Sequence, residues 1–578
     1  MVAAGSRRCD FAQSDARAGH SRRVAGNVFG WSLTIALPLL FLGVFFAWPV
    51  TALTARGFTG VEGGIDLSGV AEVLTNPRTW RLVRNTLVQA VAGTGASVVL
   101  GLPVAYLLYR TRFRGRAALR GLVTVPFVLP TVVVGVAFQA LLRPDGWFGF
   151  LGWQETLPAV ILALVFFNVS VVVRTVGGLW ERLDPRVEQA ARALGASPWR
   201  AFRTITLPAL TPAIASAAAV VFLFCATAFG VVLVLGGAGY NTVETEIFRR
   251  TTQFLDLRTA AVLSILQLAV VVAALIASGR ARANRERALH LQHEGITTHS
   301  WSYRSGADVA TAAATLLIAG GLILTPLAGL VSRSLRNPDG SWGLQNYRAL
   351  GTTGQGNALV VTVWQALAAS LRTAAIATMI ALTIGGMIAL VLSRRPRRRA
   401  VRRALGLFDA VVMLPLGVSA VTVGFGFFIT LNRPLGLNID LRTAGLLVPI
   451  AQAVVAIPLV VRTMLPVLRA IDPRLREAAA TLGAAPGRVL RTVDWPLALR
   501  SLGLAAGFAF AVSLGEFGAT AFLARPDSAT LPVVIFRLIG RPGAENYGMA
   551  LAASVVLAAL TATVMMLAER LRSQAGEF

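Results

Sequence analysis

Few side chains in this sequence have the types and spacing that enzyme chemistry or metal binding requires. Cys9 lies in a polar N-terminal stretch and Cys225 in an apolar one, and neither has the spacing of a disulfide framework or a metal site. Three of the four histidines, His290, His293 and His299, lie in one polar segment, which a solvated linker explains better than metal binding. The sequence therefore predicts no metal site and no catalytic residue.

A carboxylate inside an apolar stretch is the strongest candidate for a solute-binding group. Glu516 lies within the predicted eleventh membrane span, where an ionisable side chain costs about 3 kcal/mol or more and usually faces a cavity or a partner. A lone carboxylate that faces a cavity suits a cation better than an oxyanion, whereas the alternative is a structural carboxylate that is hydrogen-bonded between helices. Asn168 and Gln452 are further polar candidates for lining the same cavity, although such groups more often hold helices together.

The composition indicates that lipid surrounds much of the chain. Of its 578 residues, 55% are hydrophobic and 14% are charged, whereas a typical soluble domain has about 25% charged residues. Stretches of about 20 apolar residues can cross a bilayer, and they must be helical because lipid cannot satisfy backbone hydrogen bonds. The predicted fold is thus an all-α integral membrane protein with about twelve transmembrane helices. The twelve stretches lie near 31–54, 85–109, 121–142, 157–180, 208–236, 261–279, 308–332, 367–393, 407–430, 444–468, 498–523 and 547–568.

The basic residues predict how these helices are oriented. The formal net charge is +27, there is no lysine, and the arginines occur in short runs between apolar stretches. A nucleic-acid-binding protein would instead need a basic soluble face. Arginine runs lie near 110–120, 280–287 and 394–403, whereas the alternate connections near 143–156 and 431–443 have few. The positive-inside bias therefore predicts a multi-pass protein of the cytoplasmic (inner) membrane with both termini cytoplasmic.

An internal repeat divides the chain into two similar halves. Asp472 follows Asp184 by 288 residues (472 − 184), and further pairs keep this offset. They include Gly195 and Gly483, Pro208 and Pro496, Phe229 and Phe517, and Ile247 and Ile535. Each half has an even number of predicted spans, so the two six-span repeats insert in parallel. The predicted domains are a cytoplasmic tail at 1–28, a first half at 29–280, a cytoplasmic linker at 281–304 and a second half at 305–578.

The repeat is best preserved in one predicted cytoplasmic connection of each half. The two copies occupy 184–208 and 472–496, and each has a short helix, a glycine and a second helical segment that ends at a proline. Gly195 and Gly483 permit a turn with positive φ between the two segments. Alanines before each glycine leave space for another surface to approach. Interfacial helices that lie on lipid headgroups are the alternative interpretation.

These two segments resemble a signature of the inner-membrane permeases of binding-protein-dependent ABC importers. The signature is Glu-Ala-Ala, three residues, Gly, nine residues, Ile, one residue and Leu-Pro. The second copy matches through Gly483 but has Val493 for Ile and Trp495 for Leu. The first copy has Gln189 at the position of the signature glutamate, with Glu188 one residue earlier.

This resemblance implies a type I ABC importer permease fold, and it implies that the two segments are coupling loops that dock on ATPase subunits. The residues implied in that contact are Glu188, Gln189, Ala190, Ala191 and Gly195 in the first coupling loop and Glu477, Ala478, Ala479 and Gly483 in the second. A phosphate-binding P-loop needs a lysine, which this sequence lacks, so ATP and Mg²⁺ are expected on separate subunits and no cofactor on this chain. The implied partners are two ATP-binding cassette ATPase subunits and an extracytoplasmic solute-binding protein.

The fusion of two permease halves in one chain resembles the fused thiamine permeases most and the fused ferric-iron permeases next. Segments 513–519 and 530–532 resemble thiamine, molybdate and sulfate permeases, and segments 224–229 and 242–244 resemble thiamine permeases. Thiamine is therefore the expected solute, with ferric iron and molybdate or sulfate as alternatives. A secondary transporter is an alternative of a different class, but it would need several charged residues within the spans to bind a coupling ion.

Overall fold

The architecture is described from a computed structural model. It covers residues 34–59, 64, 66–286, 299–300, 306–394, 399–432, 440 and 444–574. The predicted tail at 1–28 and most of the linker at 281–304 lie outside the described residues. Within them helices dominate, and one short parallel pairing joins β1 (Thr111–Arg112) to β2 (His299–Ser300). The predicted all-α fold class is confirmed.

The helices of the two halves follow the same order along the chain. In the described part of the first half they are α1 Thr34–Phe58, α2 Ser68–Thr75, α3 Pro77–Arg110, α4 Arg116–Thr124, α5 Thr131–Leu142, α6 Leu157–Trp180, α7 Pro185–Ala193, α8 Leu207–Ala226, α9 Gly230–Gly236, α10 Val243–Thr252 and α11 Leu257–Glu286. In the described part of the second half they are α12 Asp308–Ser334, α13 Gln345–Arg348, α14 Val363–Ser393, α15 Arg399–Gly417, α16 Ala420–Thr430, α17 Leu447–Ala470, α18 Pro473–Thr481, α19 Trp495–Gly515, α20 Thr520–Leu523, α21 Leu531–Ile539 and α22 Ala544–Gln574.

Every predicted span has a counterpart among these helices, but several are not straight. The described residues contain 8 helices that are long and apolar enough to cross a membrane, and 3 bent pairs that complete up to 11 spans. The sixth predicted span corresponds to the apolar part of α11, Leu257–Ala273. The predicted spans at 121–142 and 407–430 are bent by 103° and 89°, because the backbone is extended at Pro130 and Ser419, immediately before α5 and α16.

Two spans that the sequence predicted as continuous helices are interrupted in the structure. The stretch 208–236 is interrupted between α8 and α9, and the stretch 498–523 is interrupted between α19 and α20. Both breaks are covered by protein, which is the condition under which non-helical backbone is tolerated at membrane depth. Close packing accompanies each break: a Cβ on Gly230 would lie 2.4 Å from Thr131 Oγ1, and one on Gly518 would lie 2.9 Å from Ala420 Cβ.

The first helix of each half packs against the other half. α1 contacts α16, where a Cβ on Gly426 would lie 3.0 Å from Pro49 Cβ. α12 contacts α3 and α5, where a Cβ on Gly329 would lie 2.4 Å from Leu141 Cδ2. Side chains of α1 join the buried core of the second half, and side chains of α12 join that of the first. The two repeats are therefore interlocked.

Each half is organised around one close helix pair, α3 with α6 and α14 with α17. A Cβ on Gly101 would lie 2.7 Å from Val172 Cγ1, and a Cβ on Gly385 would lie 2.8 Å from Val460 Cγ1. The valines are 288 residues apart (460 − 172), whereas the glycines are 284 apart (385 − 101). The chain between the glycine and the valine is therefore four residues longer in the second half (288 − 284), yet both halves have the same contact. This contact sets how closely the two helices approach each other.

We predict that Gly101→Leu destabilises the folded chain, whereas Gly95→Leu on the same helix does not. Gly101 faces Val172, so a larger side chain must push α3 and α6 apart, at a cost of about 1–3 kcal/mol. Gly95 is exposed and has no atom within 4 Å of a Cβ position, so it is a matched control. Thermal unfolding of the purified variants in detergent measures the difference. Equal midpoints for the two variants would contradict this packing.

Candidate functional site

The two coupling loops have the same local structure. α7 and α18 each begin after an aspartate, Asp184 or Asp472, whose side chain accepts a hydrogen bond of 2.9 Å from the backbone N–H two residues later. Each helix is followed by a glycine in the left-handed region, with φ of 92° at Gly195 and 81° at Gly483. This conformation favours glycine because side chains with a Cβ rarely adopt it. The turn that the sequence predicts at these glycines is therefore present.

The outer surface of these loops is uncovered in the isolated chain. Leu194 and Leu482, immediately before the two glycines, are 90% and 89% exposed. Of the residues implied in docking, the exposed ones are Gln189, Ala190, Gly195, Glu477, Ala478 and Gly483, and the half-buried ones are Glu188, Ala191 and Ala479. Each loop thus presents one almost fully exposed leucine at the same position of the repeat.

Different side-chain interactions stabilise the base of each coupling loop: a hydrogen bond in the first loop and ion pairs in the second. Glu188 accepts a hydrogen bond of 3.0 Å from the Thr206 hydroxyl. The residues 288 positions later are Arg476 and Asp494, which form an ion pair of 2.7 Å, and Asp494 also pairs with Arg394 at 2.9 Å. The Glu188 carboxylate is therefore engaged within its own loop. Gln189, not Glu188, occupies the exposed position equivalent to Glu477.

A cavity of about 330 Å³ lies where the two halves meet. Its walls come from both halves in pairs that are 288 residues apart. These pairs include Phe127 and Pro415, Pro130 and Val418, Thr131 and Ser419, Phe224 and Val512, Ala228 and Glu516, and Phe229 and Phe517. The cavity therefore lies on the pseudo-twofold axis that relates the repeats, and the breaks after α8 and α19 both open onto it.

Glu516 lies in the break after α19 and not within a continuous helix as the sequence analysis predicted. Its backbone is extended, with φ −68° and ψ 126°. The side chain is buried at 7% exposure, and its two oxygens accept hydrogen bonds from the backbone N–H groups of Ala519 (2.7 Å) and Thr520 (3.1 Å). The carboxylate thus both lines the cavity and caps α20. Among the described residues that line the cavity it is the one charged side chain, and its repeat mate is Ala228.

The other two predicted pathway residues occupy different places. Asn168 lines the cavity, but its amide nitrogen donates to the Leu164 carbonyl at 2.8 Å and contacts Cys225 Sγ at 3.5 Å. Gln452 is buried in α17 at 1% exposure and is not among the described residues that line the cavity. The structure therefore brings Asn168 and Glu516 to one cavity and leaves Gln452 outside it.

An aromatic cluster borders the cavity on the side away from the coupling loops. Phe229 and Phe517 stack with centroids 5.4 Å apart and planes 14° apart. Phe248 of α10 packs on Phe229, and its repeat mate Phe536 of α21 packs on Phe517, each at 5.3 Å. α8 leads from the first coupling loop to the break at Ala228. α10 comes just before α11, which runs back towards the side of the coupling loops. The four rings consequently close the pseudo-twofold axis beyond the cavity.

A buried carboxylate that the sequence analysis did not select also joins the two halves. Glu244 of α10 is 0% exposed, and its Oε2 accepts a hydrogen bond of 2.7 Å from the Ser419 hydroxyl of the second half. Ser419 also caps α16 by accepting a 3.0 Å hydrogen bond from the Val421 N–H. Glu244 therefore joins the two repeats through a hydrogen bond between residues 175 positions apart, which no local sequence pattern indicates.

Comparisons with known proteins agree with this architecture. Residues 97–286 and 381–574 match the family described as "Binding-protein-dependent transport system inner membrane component". The chain is 28% identical over 537 residues to the Thiamine transport system permease protein ThiP of Brucella abortus, covering 90% of this chain and 92% of the relative. It is also 28% identical over 511 residues to ThiP of Escherichia coli, covering 87% of this chain and 91% of the relative.

A further relative matches only part of the chain. The Sulfate transport system permease protein CysT of Escherichia coli is 32% identical over 245 residues, covering 40% of this chain and 85% of the relative. The family match begins within the second span of each half and includes both coupling loops and both helix breaks. The chain therefore belongs to the family of binding-protein-dependent transport system inner membrane components.

Proposed function

We propose that this chain is the membrane-spanning subunit of an ABC importer that moves thiamine across the cytoplasmic membrane. The observation that carries the proposal is the cavity on the pseudo-twofold axis, whose one charged residue among the described lining is Glu516. Thiamine is a cation with two aromatic rings. A carboxylate beside phenylalanine walls suits such a solute, because aromatic faces attract cations and stack with flat rings. The similarity to two thiamine permeases over most of the chain supports the same solute.

The alternative solutes fit this cavity less well. An oxyanion such as sulfate or molybdate would lie against the Glu516 carboxylate, which repels it. Ferric iron prefers a sphere of several oxygen or nitrogen ligands, whereas the lining offers one carboxylate among mainly apolar side chains, and both of its oxygens already accept hydrogen bonds. A large organic cation needs charge complementarity and an apolar wall, and both are present.

The geometry also supports the way in which ATP hydrolysis drives transport. Two separate ATPase subunits dock on the coupling loops, and an extracytoplasmic binding protein delivers the solute on the opposite face. α8 and α19 begin near the loops and end at the two breaks that line the cavity. Movement of the loops is therefore transmitted along these helices to Phe229 and Phe517. Closing the aromatic cluster on one side while the cavity opens on the other gives alternating access.

Reconstitution tests the whole proposal. Proteoliposomes that contain this chain, its ATPase subunits and thiamine-loaded binding protein of the same organism are expected to take up labelled thiamine with ATP and not with a non-hydrolysable analogue. The purified chain alone is expected to hydrolyse no ATP, because it lacks a P-loop lysine. Uptake without ATP, or hydrolysis by the chain alone, would contradict the proposal.

The two coupling loops are predicted to contribute unequally to ATPase docking. Glu477→Ala removes an exposed carboxylate, whereas Gln189→Ala removes a neutral amide at the equivalent position. A charged hydrogen bond contributes about 1.5–3 kcal/mol and a neutral one about 0.5–1.5 kcal/mol, so Glu477→Ala is expected to weaken docking more. Gly483→Pro is expected to weaken it further, because proline cannot adopt the φ of 81° found there. Affinity capture of the ATPase by each variant measures this. Equal retention by all three would exclude these loops as the docking sites.

Glu516→Gln is predicted to reduce thiamine uptake by at least about tenfold per assembled complex, equivalent to about 1.4 kcal/mol. The amide keeps the shape but removes the charge that attracts the cation. It also leaves one oxygen for two backbone N–H groups, so a lower yield of folded chain is expected as well. Uptake is therefore normalised to complex recovered from size-exclusion chromatography.

The matched control for this variant is Gln452→Leu. It removes another buried polar side chain, but Gln452 is not among the described residues that line the cavity. Uptake per assembled Gln452→Leu complex is expected to stay within about twofold of the unmodified protein, since Gln452 Oε1 has no hydrogen-bond partner among the described residues and leucine has a similar volume. Normal uptake by Glu516→Gln would show that the carboxylate only caps α20 and would remove the physical argument for a cationic solute.

A further inference from the structure

A basic depression of about 770 Å³ lies between the ends of α5 and α12 and the start of α22. Among its described lining residues are four arginines and one aspartate, a net charge of +3 (4 − 1). They are Arg143, Arg333, Arg336, Arg541 and Asp145. In the orientation predicted from the arginine runs, α5 ends on the extracytoplasmic face, so this depression, called the basic basin below, opens away from the coupling loops.

The basic basin holds more hydrogen-bond donors than acceptors. Asp145 forms an ion pair with Arg333, and its carboxylate is also 3.7 Å from Arg143 Nε. The exposed guanidinium groups of Arg336 and Arg541 have no ion pair or hydrogen bond to any described residue. Arg143 also lies over the Tyr547 ring at 4.4 Å, and Arg143 Nε and Tyr547 Oη are buried without a hydrogen-bond partner among the described residues. A ligand that supplies several acceptor oxygens would satisfy these groups.

A smaller depression in the first half, called its counterpart below, shares part of its lining with the basic basin at equivalent positions of the repeat. Asp256 and Thr259 line a depression of about 80 Å³, and the residues 288 positions later, Ala544 and Tyr547, line the basic basin. The counterpart is thus about one tenth as large. Two copies of one fold have therefore produced a small depression in one half and a wide one in the other.

The counterpart neutralises its own arginines. Arg78 and Arg250 both pair with Glu246, at 3.1 and 2.9 Å, and Arg250 also pairs with Asp256 at 3.1 Å. With Glu72, the described lining has two arginines and three carboxylates, a net charge of −1 (2 − 3). The arginines of the first half's depression are therefore paired within it, whereas Arg336 and Arg541 of the basic basin remain available to a ligand from outside.

We infer that the basic basin docks carboxylate side chains on the surface of the extracytoplasmic binding protein, which therefore contacts the two halves unequally. This inference rests on the function proposed above. Arginine pairs with carboxylates in a two-pronged geometry, and a net positive surface steers an acidic partner to it. A protein partner fits better than a small anion, because small-molecule sites are mainly apolar and enclose their ligand, whereas this basin is wide and polar.

The surroundings of the basic basin are also those of a protein contact. Trp147 follows Asp145 in the connection after α5 and is 52% exposed, and Trp342 follows Arg336 in the connection after α12 and is 69% exposed. Exposed tryptophans beside arginines are the residue types that contribute most at protein interfaces. Asp339 lies in the same connection, but its carboxylate is held by the Ser341 N–H at 2.9 Å and hydroxyl at 2.6 Å. Its carboxylate is therefore engaged within its own connection and is not paired with Arg336 or Arg541.

Charge reversal at the two unpaired arginines tests this docking site. The double substitution Arg336→Glu with Arg541→Glu changes the net charge of the described lining from +3 to −1 (2 − 3). The chain with its ATPase subunits is reconstituted, and ATP hydrolysis is titrated with thiamine-loaded binding protein of the same organism. The half-saturating concentration is expected to rise by about tenfold or more, and its dependence on salt is expected to decrease. Arg348→Glu, also exposed on α13 but outside the basin, is expected to shift it by less than about twofold.

The outcomes separate this inference from the proposed function. If the unmodified complex responds to the binding protein and the double variant titrates identically, the docking site is wrong and the proposed function stands. If the unmodified complex does not respond, both fail. Should the double variant not assemble, Arg336→Ala with Arg541→Ala replaces it, with an expected shift of about threefold or more. Calorimetry with inorganic phosphate tests whether the basin binds a small anion instead. If the unmodified chain binds phosphate, the double variant does not, and docking of the binding protein is the same for both, the basin is a small-anion site and the inference is wrong.

Discussion

The need to satisfy backbone hydrogen bonds away from water governs the centre of this protein. A helix that stops within the bilayer leaves N–H groups unpaired, and each unpaired group costs several kilocalories per mole in hydrocarbon. Both halves nevertheless interrupt a helix, at Ala228 and at Glu516, and the Glu516 carboxylate accepts two of the freed N–H groups. Each break is packed within its own half, through Gly230 and Thr131 or Gly518 and Ala420, and the stacked Phe229 and Phe517 rings cover it from the other half. The cavity therefore exists only as a property of the paired repeats.

The two repeats have the same order of helices but different side chains at equivalent positions. Glu516 faces Ala228 across the axis, and the ion pair of Arg476 with Asp494 stands where the first half has a hydrogen bond between Glu188 and Thr206. Fusion in one chain permits this divergence, because each position changes independently of its mate. A cavity with one carboxylate can bind a single cation off the axis, whereas a symmetric pair of carboxylates would repel each other and one would remain protonated.

The sequence predicted the parts of this structure that depend on local pattern. Stretches of about 20 apolar residues predicted the positions of the spans. The fixed offset of 288 residues predicted the repeat and both coupling loops. The sequence did not predict the breaks, because apolar residues continue across them. At the second break these residues are Phe517 and Ala519, so the hydropathy of the sequence is the same as that of a continuous helix. The packing of α1 and α12 on opposite halves was also beyond sequence reasoning, since lipid-facing and protein-facing apolar residues have the same composition. The role of Glu244 was missed because its partner, Ser419, is 175 residues away in the chain.

The aromatic cluster is where side chains of the two halves stack on the pseudo-twofold axis. Four ring contacts join Phe229, Phe248, Phe517 and Phe536, and three of them have centroids within 5.4 Å. Such contacts contribute about 0.5–1.5 kcal/mol each, so the cluster contributes about 2–6 kcal/mol in all. Two of the four contacts, Phe229 with Phe517 and Phe248 with Phe536, cross the axis, so these rings contribute about 1–3 kcal/mol to holding the two halves together.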